Sequence, residues 1–285
     1  MQDMLIIGGG PAGLSAAINV VARGGRATVI SQPMEQNPLW KAHRVDNYSG
    51  MVGVSGAQML QIMRREAEEA GVAFVTGRAT AAMYFDGAYT VTVGQELLQG
   101  KSLLLAIGAG ATAPLSREEE FLGRGVSYCA TCDGRLYRNR RVVVTGNAGD
   151  LAEEATFLQS IGAQVTVVTR RPVSGLPADI PHTQAAAVEL WIENDALQGV
   201  LADGEPVPAD GVFLLRQVTA PTALLTGLET DGKFILTDKH QRTNLPACYA
   251  AGDCTGHPLQ IAKAVGEGLI AAQHAMQTLQ QQKGE

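Results

Sequence analysis

The sequence contains two units in which a short apolar strand leads through a glycine turn into a helix. In the first, the strand Met4–Ile7 precedes GGGPAG, and a helix at Gly13–Gly24 leads to a second strand at Ala27–Ile30. The second unit begins near Arg141 and continues to the strand Gln164–Val168. Strands that alternate with helices predict parallel sheets. We therefore expect an α/β protein with two related nucleotide-binding folds.

Further elements are predicted between and beyond these units. A helix is expected at Gly56–Ala70, where apolar residues recur with helical spacing. Residues 72–107 are rich in strand-forming residues, and the Asp86-Gly87 pair is typical of a hairpin turn. A C-terminal helix is expected at Leu259–Leu279, after the short motif AAGD.

Composition narrows the classes of function. The chain has 285 residues, 46% of them hydrophobic, which is enough for the cores of one large or two moderate domains. The net charge of −6 argues against non-specific binding of nucleic acid. No stretch approaches the roughly 18 apolar residues of a membrane-spanning helix, and the first residues lack the pattern of a secretory signal. We expect a cytoplasmic protein that binds neither nucleic acid nor membrane.

The first glycine turn has the spacing of a dinucleotide-binding loop. Gly8, Gly10 and Gly13 fit G-x-G-x-x-G between a strand and a helix. Such glycines allow a tight turn, close approach of a pyrophosphate and close packing of helix on strand. The alternative is a tight turn in an α/β protein that binds no ligand. Glu35 is the nearest acidic candidate for holding a ribose after the second strand.

The run CATCDG carries the reactive groups. Cys129 and Cys132 are two thiols that can form a small disulfide, and the adjacent Asp133 can transfer a proton. One alternative is half of a zinc site completed by Cys248 and Cys254, but their spacing is poor for a metal, so no metal site is predicted. The other alternative is a pair of simply buried cysteines.

With these motifs in place, the chain resembles the low-molecular-weight thioredoxin reductase family over nearly its whole length. The resemblance rests on GGGPAG and four further segments in the same order: RVDNYSG at Arg44–Gly50, LLLAIGAGATAP at Leu103–Pro114, GRGVSYCATCDGRLYRNRRVVV at Gly123–Val144 and LPACYAAGDCTG at Leu245–Gly256.

The resemblance implies two Rossmann-like dinucleotide-binding domains, with the second inserted into the first. Residues 1–114 and 240–285 would form a discontinuous FAD-binding domain. Residues 115–239 would form a central redox domain with the C-x-x-C motif and an NADPH-type site. The family resemblance also implies a cytoplasmic homodimer that reduces a thioredoxin-like disulfide protein.

The resemblance further implies roles for particular residues. Cys132 would face the flavin, Cys129 would attack the disulfide of the partner, and Asp133 would manage the proton. The arginine that usually precedes the glutamine near the flavin is Leu259 here. With Glu35 added from its position, the expected FAD-binding residues are Gly8, Gly10, Pro11, Ala12, Gly13, Glu35, Asn47, Gly108, Gly252, Asp253, Gln260 and Ile261.

The second glycine turn departs from the family pattern G-G-G-x-x-A. Asn147 and Ala148 stand at two glycine positions, and Leu151 stands at the small-residue position. A methyl group at the point of closest approach obstructs a pyrophosphate. Asp150 adds negative charge where a phosphate would otherwise be favoured.

Two other segments of the central domain also depart from the family. The usual H-R-R-x-x-x-R, which grips the 2′-phosphate of NADPH, is Thr169–Gly175 here and keeps only Arg170 and Arg171. Arg216 and Gln217 stand where the family usually has a glycine-containing loop. The three arginines could steady a different ligand or be solvated surface residues.

These linked departures predict an electron donor other than NADPH. The chain thereby resembles the pyridine-nucleotide-independent branch of the family, in which ferredoxin or a second FAD replaces NADPH. We expect an FAD-dependent dithiol–disulfide oxidoreductase with one FAD per chain and room for a second. The alternatives are an NADPH-dependent thioredoxin reductase with an atypical nucleotide site and a non-enzymatic flavoprotein redox sensor. The intact CATCDG argues against the sensor.

Overall fold

The computed structural model describes residues 1–108, 115–216, 221–231 and 234–281, apart from the side chains of residues 119 and 132. The chain divides into two compact units. The first unit consists of Met1–Gly110 and Pro221–Glu285, and the second unit, Ala111–Ala220, is inserted between these segments.

The second segment of the first unit begins earlier than the expected boundary at residue 240. Leu224, Leu225 and Leu228 are buried in the same core cluster as Leu5 and Tyr89 of the first segment. Their burial in this core explains why residues from Pro221 onward belong to the first unit.

The elements follow one another in three groups. The first segment of the first unit contains β1 (Gln2–Ile7), α1 (Pro11–Val21), β2 (Ala27–Ser31), α2 (Gly56–Glu69), β3 (Ala73–Thr76), β4 (Ala79–Phe85), β5 (Ala88–Val93) and β6 (Glu96–Leu105). The second unit contains α3 (Glu118–Phe121), β7 (Val126–Ser127), α4 (Ala130–Asp133), β8 (Arg141–Gly146), α5 (Leu151–Ser160), β9 (Gln164–Thr169), β10 (His182–Gln184), β11 (Val188–Glu193), β12 (Ala196–Ala202), β13 (Glu205–Pro208) and β14 (Gly211–Leu215). The second segment of the first unit adds α6 (Pro221–Leu224), β15 (Cys248–Ala250) and α7 (Ile261–Gln281).

The first unit is built on a seven-stranded sheet. Strands β3, β2, β1, β6 and β15 are parallel neighbours in that order. The long strand β6 also pairs through its first half with β5, which continues antiparallel to β4. The predicted hairpin turn is confirmed, with φ of 49° at Asp86 and 77° at Gly87 between β4 and β5.

Strand β1 lies at the centre of this sheet and is buried on both faces. Met4 and Ile6 belong to the core cluster that contains α1, α2 and α7, whereas Leu5 and Ile7 belong to the cluster on the opposite side. This alternation follows from the two-residue period of a strand. It explains why the sequence of β1 is a continuous apolar run.

The second unit contains a five-stranded parallel sheet in the order β10–β9–β8–β14–β7 and a three-stranded antiparallel sheet of β11, β12 and β13. Helix α5 connects β8 to β9, and Leu158 of this helix packs with Val142 and Phe213 of the parallel sheet. The prediction of an α/β fold with two Rossmann-like units is confirmed. Across the described ranges, no helix is both long and apolar enough to cross a membrane.

Candidate active site

The first glycine turn joins β1 to α1 with very little space. Gly8 has φ of 118°, and a Cβ at this position would lie 2.1 Å from the carbonyl oxygen of Ala106. A Cβ at Gly13 would lie 1.9 Å from the carbonyl oxygen of Gly8. No side chain fits at either point. Glycine at these two positions therefore allows the start of α1 to pack closely against the turn, as in a dinucleotide-binding loop.

The start of α1 is suited to an anion. Its N-cap is Gly10, no side chain caps it, and no acidic residue lies in its first turn. Pro11 stands at the first helical position, where its missing N–H is not needed. The remaining N–H groups and the positive end of the helix dipole favour a phosphate. This part of the site therefore fits the pyrophosphate of FAD.

Three glycines mark the carboxyl edge of the sheet beside this turn. Gly8 follows β1, Gly108 follows β6, and Gly252 follows β15. These three strands are parallel neighbours, so their carboxyl ends meet at one edge. A Cβ at Gly252 would lie 3.0 Å from the Cβ of Ala12. The turn that carries Asp253 therefore lies against the start of α1, although the two are far apart in sequence.

Asp253 is half-buried in this turn. Burial raises the pKa of its carboxyl above the ordinary value, the positive charge of Lys263 opposes that rise, and the negative charge of Glu267 adds to it. Nearby, the side-chain amide of Asn47 donates a 2.7 Å hydrogen bond to Oε1 of Gln260. The structure thus brings together two predicted residues from opposite ends of the chain, next to the start of α7 at Ile261.

The predicted ribose acid, Glu35, lies two residues before Asn37 in the segment that follows β2. Glu35 is exposed in a short 3₁₀ turn after β2. The side-chain amide nitrogen of Asn37 lies 3.3 Å from the position that a Cβ on Gly10 would occupy. Sequence reasoning missed Asn37. The signal in the sequence was an asparagine directly before a proline, a pattern typical of an N-cap. The side chain of Asn37 accepts a hydrogen bond from the N–H of Leu39.

The C-x-x-C motif begins just before the one-turn helix α4. Cys129 is buried and disulfide-bonded. The hydroxyl of Thr131 lies 3.4 Å from Sγ of Cys129, and it must be the donor because a disulfide sulfur carries no proton. The side chain of Cys132 lies outside the part of the chain that the structure describes.

Ser127, at the end of β7, connects the cysteine to the neighbouring acid. Its hydroxyl donates a 2.7 Å hydrogen bond to Oδ2 of Asp133 and accepts a 3.1 Å bond from the N–H of Cys129. Ser127 is 2% exposed, so water does not compete for these bonds. Sequence reasoning missed this residue, and its only signal was its place two residues before the first cysteine.

A buried ion pair contacts Tyr128, the residue before Cys129. Arg216 donates two hydrogen bonds of 2.6 Å to the carboxylate of Glu118, and the hydroxyl of Tyr128 donates a third at 2.7 Å. Burial opposes ionisation of Glu118, but hydrogen bonds from Arg216, Leu115 and Tyr128 outweigh it and lower its pKa. Arg216 is 7% exposed and is therefore not a solvated surface residue.

The second glycine turn differs from the first after a similar start. Gly146 has φ of 132°, and a Cβ there would lie 1.9 Å from the carbonyl oxygen of Leu215. The N–H groups of Asn147 and Ala148 both point to that same oxygen, at 2.9 and 3.0 Å. Leu151 is 2% exposed at the start of α5. The backbone donors that would face a pyrophosphate are thus directed into the protein.

Acidic residues surround the start of α5. Asp150 is its N-cap, and Glu153 and Glu154 lie in its first turn. Negative charge stabilises this end of a helix but repels a bound phosphate. Arg170 and Arg171, after β9, are exposed. The acidic start of α5 therefore disfavours a bound phosphate, unlike the start of α1.

The two remaining cysteines are free and buried in the core of the first unit. Burial raises the pKa of Cys248 to about 11 and that of Cys254 to about 12, so neither forms a thiolate readily. Among the described residues, no cluster of three or more His, Cys, Asp or Glu side chains is arranged to hold a metal ion.

Comparison with known proteins identifies a family for this chain. The model of the pyridine nucleotide-disulphide oxidoreductase family matches residues 2–268. A thioredoxin reductase from Listeria monocytogenes is 30% identical, over 99% of this chain and 95% of its own. Among solved structures, a ferredoxin-flavin thioredoxin reductase from Clostridium acetobutylicum is 29% identical with a TM-score of 0.91, and the match covers 100% of this chain and 99% of that one. A thioredoxin reductase from Gloeobacter violaceus is 29% identical with a TM-score of 0.81, over 99% of this chain and 95% of its own.

Proposed function

Because this chain belongs to the pyridine nucleotide-disulphide oxidoreductase family and is a thioredoxin reductase-like flavin disulfide oxidoreductase, we propose that it reduces a thioredoxin-like protein with electrons from a donor other than NADPH. The family implies FAD binding. Its relatives are enzymes, so the interpretation as a non-enzymatic redox sensor is set aside.

In this proposal FAD is held by the first unit. The first glycine turn, Gly8 to Gly13, and the acid-free start of α1 receive the pyrophosphate. Asp253, from the neighbouring turn, holds part of the cofactor, and Gln260, which Asn47 binds, corresponds to the family glutamine near the flavin ring. Bound FAD supplies the electron pair that reduces the disulfide of the C-x-x-C motif.

The chemistry at the partner is thiol–disulfide exchange. The thiolate of Cys129 attacks one sulfur of the partner's disulfide, so that a mixed disulfide forms and the partner releases its other sulfur as a thiolate. Cys132 then attacks Cys129, which restores the internal disulfide and frees the second partner sulfur. Asp133 carries the proton that these steps release and take up. Ser127 supports this role because it bonds both Asp133 and Cys129.

The proposal of an electron donor other than NADPH rests on the second glycine turn. Its N–H groups are bound to Leu215, and its helix begins among acidic residues, so it lacks the donors and the charge that a pyrophosphate needs. The likeness to a solved ferredoxin-flavin thioredoxin reductase favours ferredoxin as the donor. A second flavin in the central unit is the other candidate. The enzyme is proposed to act as a homodimer.

An anaerobic titration separates these donors. We expect the flavin absorbance of the purified protein to stay unchanged with NADPH and to bleach with reduced ferredoxin. Prompt bleaching by NADPH alone would show instead an NADPH-dependent thioredoxin reductase with an atypical site. Counting FAD per chain after gentle purification tests the second flavin, since one FAD per chain contradicts it.

A cysteine variant tests the route of the electrons. Cys132→Ser is expected to abolish reduction of a thioredoxin disulfide while leaving the flavin bound. Turnover of the protein disulfide by this variant would contradict the proposed relay.

A further inference from the structure

Three side chains hold the turn that carries Asp253. Thr255 belongs to the 3₁₀ turn after Gly252, and Lys263 and Glu267 lie one helical turn apart near the start of α7. We call Thr255, Lys263 and Glu267 the turn clamp. All three are half-buried, and they contact the backbone of Gly252.

The ammonium group of Lys263 uses all of its donors within this cluster. It lies 2.9 Å from the carbonyl oxygen of Gly252, 2.9 Å from Oγ1 of Thr255 and 3.1 Å from Oε2 of Glu267. An ammonium has three protons and no acceptor. Lys263 is therefore fully engaged by the turn and by α7, and it is not a solvated surface lysine.

Glu267 completes the clamp from the other side. Its Oε2 accepts a 2.8 Å hydrogen bond from the N–H of Gly252 and lies 2.9 Å from the hydroxyl of Thr255. Both backbone polar groups of Gly252 are thus bound by side chains of α7. Gly252 has φ of 88°. Without these contacts a glycine can adopt several other backbone conformations. The clamp selects the observed one.

Helix stability does not explain this lysine. A cation in the first turn of a helix is unfavourable because it faces the positive end of the helix dipole. The pair with Glu267 offsets this cost, but a neutral residue would avoid it. The geometry gives Lys263 a different task, since its ammonium binds the carbonyl oxygen of Gly252 and the hydroxyl of Thr255 in the turn that carries Asp253.

We propose that Lys263 is a positioning residue that, with Thr255 and Glu267, holds the Gly252–Asp253 turn in the conformation that receives FAD. The turn lies against Ala12 of the first glycine motif, so a change in its backbone alters the surface that meets the cofactor. This inference rests on the proposed binding of FAD by Asp253. A preorganised turn avoids the entropy of ordering on binding, which raises affinity.

The test is the affinity of the flavin-free protein for FAD, followed by quenching of flavin fluorescence. Lys263→Met removes the three hydrogen bonds of the ammonium and is expected to raise the Kd for FAD about tenfold or more. Lys263→Arg, which keeps the charge and the donors, is expected to recover part of the affinity. Arg65→Met, which breaks an exposed pair of the same spacing with Glu69 in α2, is the matched control and is expected to leave the Kd unchanged.

A cycle of variants distinguishes positioning from simple loss of stability. Glu267→Gln is expected to weaken FAD binding, and the double variant with Lys263→Met is expected to lose less than the product of the two single effects. An unchanged Kd for Lys263→Met, with only a lower unfolding temperature of the flavin-free protein, would overturn the inference.

Asp253→Ala distinguishes failure of the proposed FAD site from failure of the proposed turn clamp. If it leaves the Kd unchanged, the proposed FAD site is wrong. If it weakens binding while Lys263→Met does not, only the clamp is wrong.

Discussion

The glycine turns at Gly8 and Gly146 begin alike and then diverge within two residues. Both glycines have left-handed φ values. A Cβ at Gly8 would collide with the carbonyl oxygen of Ala106, the residue after β6, and a Cβ at Gly146 would collide with the carbonyl oxygen of Leu215, at the end of β14. This first glycine is needed to join a strand to a helix at the sheet edge, whatever is bound there.

The residues that follow decide whether a phosphate fits. After Gly8, α1 begins without an acidic residue and without a side-chain cap. After Gly146, the next two N–H groups bind Leu215, and Glu153 and Glu154 lie in the first turn of α5. The turn is present in both units, whereas the helix that follows it begins without acidic residues in the first unit and among acidic residues in the second. The first glycine of such a turn is therefore not by itself diagnostic of a nucleotide site.

The most severe test of this comparison introduces the same clash into both turns. Gly8→Val and Gly146→Val each force a side chain against a carbonyl oxygen, with an expected destabilisation of about 1–3 kcal/mol or more. Only Gly8→Val is expected to purify without FAD. The measurement is the ratio of flavin to protein, with thermal unfolding to verify that each variant folds.

An outcome in which Gly146→Val also loses FAD would break the comparison, because flavin retention would then depend on the second turn. If Gly8→Val does not fold, Gly8→Ala with its smaller side chain serves as the second variant. Full retention of FAD by a folded Gly8→Ala protein would place the cofactor elsewhere.

A large effect is also expected at the buried ion pair of the second unit. Arg216→Met leaves the carboxylate of Glu118 buried with its strongest partner removed, which is expected to lower the free energy of unfolding by about 3–5 kcal/mol. The flavin bound by the first unit is expected to stay, because this pair belongs to the second unit and FAD is proposed to bind at the first glycine turn. Denaturant unfolding measures the loss, with the exposed Arg171→Met as control.

The same pair predicts a pH dependence. The pKa of Glu118 is lowered in the folded protein, so its contribution to stability is present above the unfolded value of about 4.3 and is lost as the pH falls through the lower folded value. The stability difference between the parent protein and Glu118→Gln is therefore expected to be largest near neutral pH. A difference that grew toward acid pH would contradict the ion-pair assignment.

The smallest of these effects concerns charge at the start of α1. Pro11→Glu places a negative side chain where the second unit already has several, while Pro11→Gln changes the shape without the charge. We expect Pro11→Glu to bind FAD about tenfold more weakly than Pro11→Gln, a difference of about 1.4 kcal/mol. Equal affinities would show that the acidic start of α5 is not what disfavours a phosphate there.

Local features of the sequence predicted much of the fold. The helix expected at Gly56–Ala70 is present as α2, and the second strand–helix–strand unit is present as β8, α5 and β9. These elements were readable because apolar periodicity and turn residues act over a few positions. The partners of Arg216 and Lys263 could not be predicted from the sequence, because Glu118 and Gly252 come into contact with them only when the chain folds.

The sequence by itself determined the alternation of strands and helices, the two glycine turns and the C-x-x-C motif with its acid, since each is set by neighbouring residues. The tertiary structure decided what surrounds them. It joined Asn47 to Gln260, bound Ser127 to Asp133 and directed two N–H groups of the second glycine turn into Leu215. Hydrogen bonds between distant residues depend on how strands and helices pack, and no short sequence pattern encodes that packing.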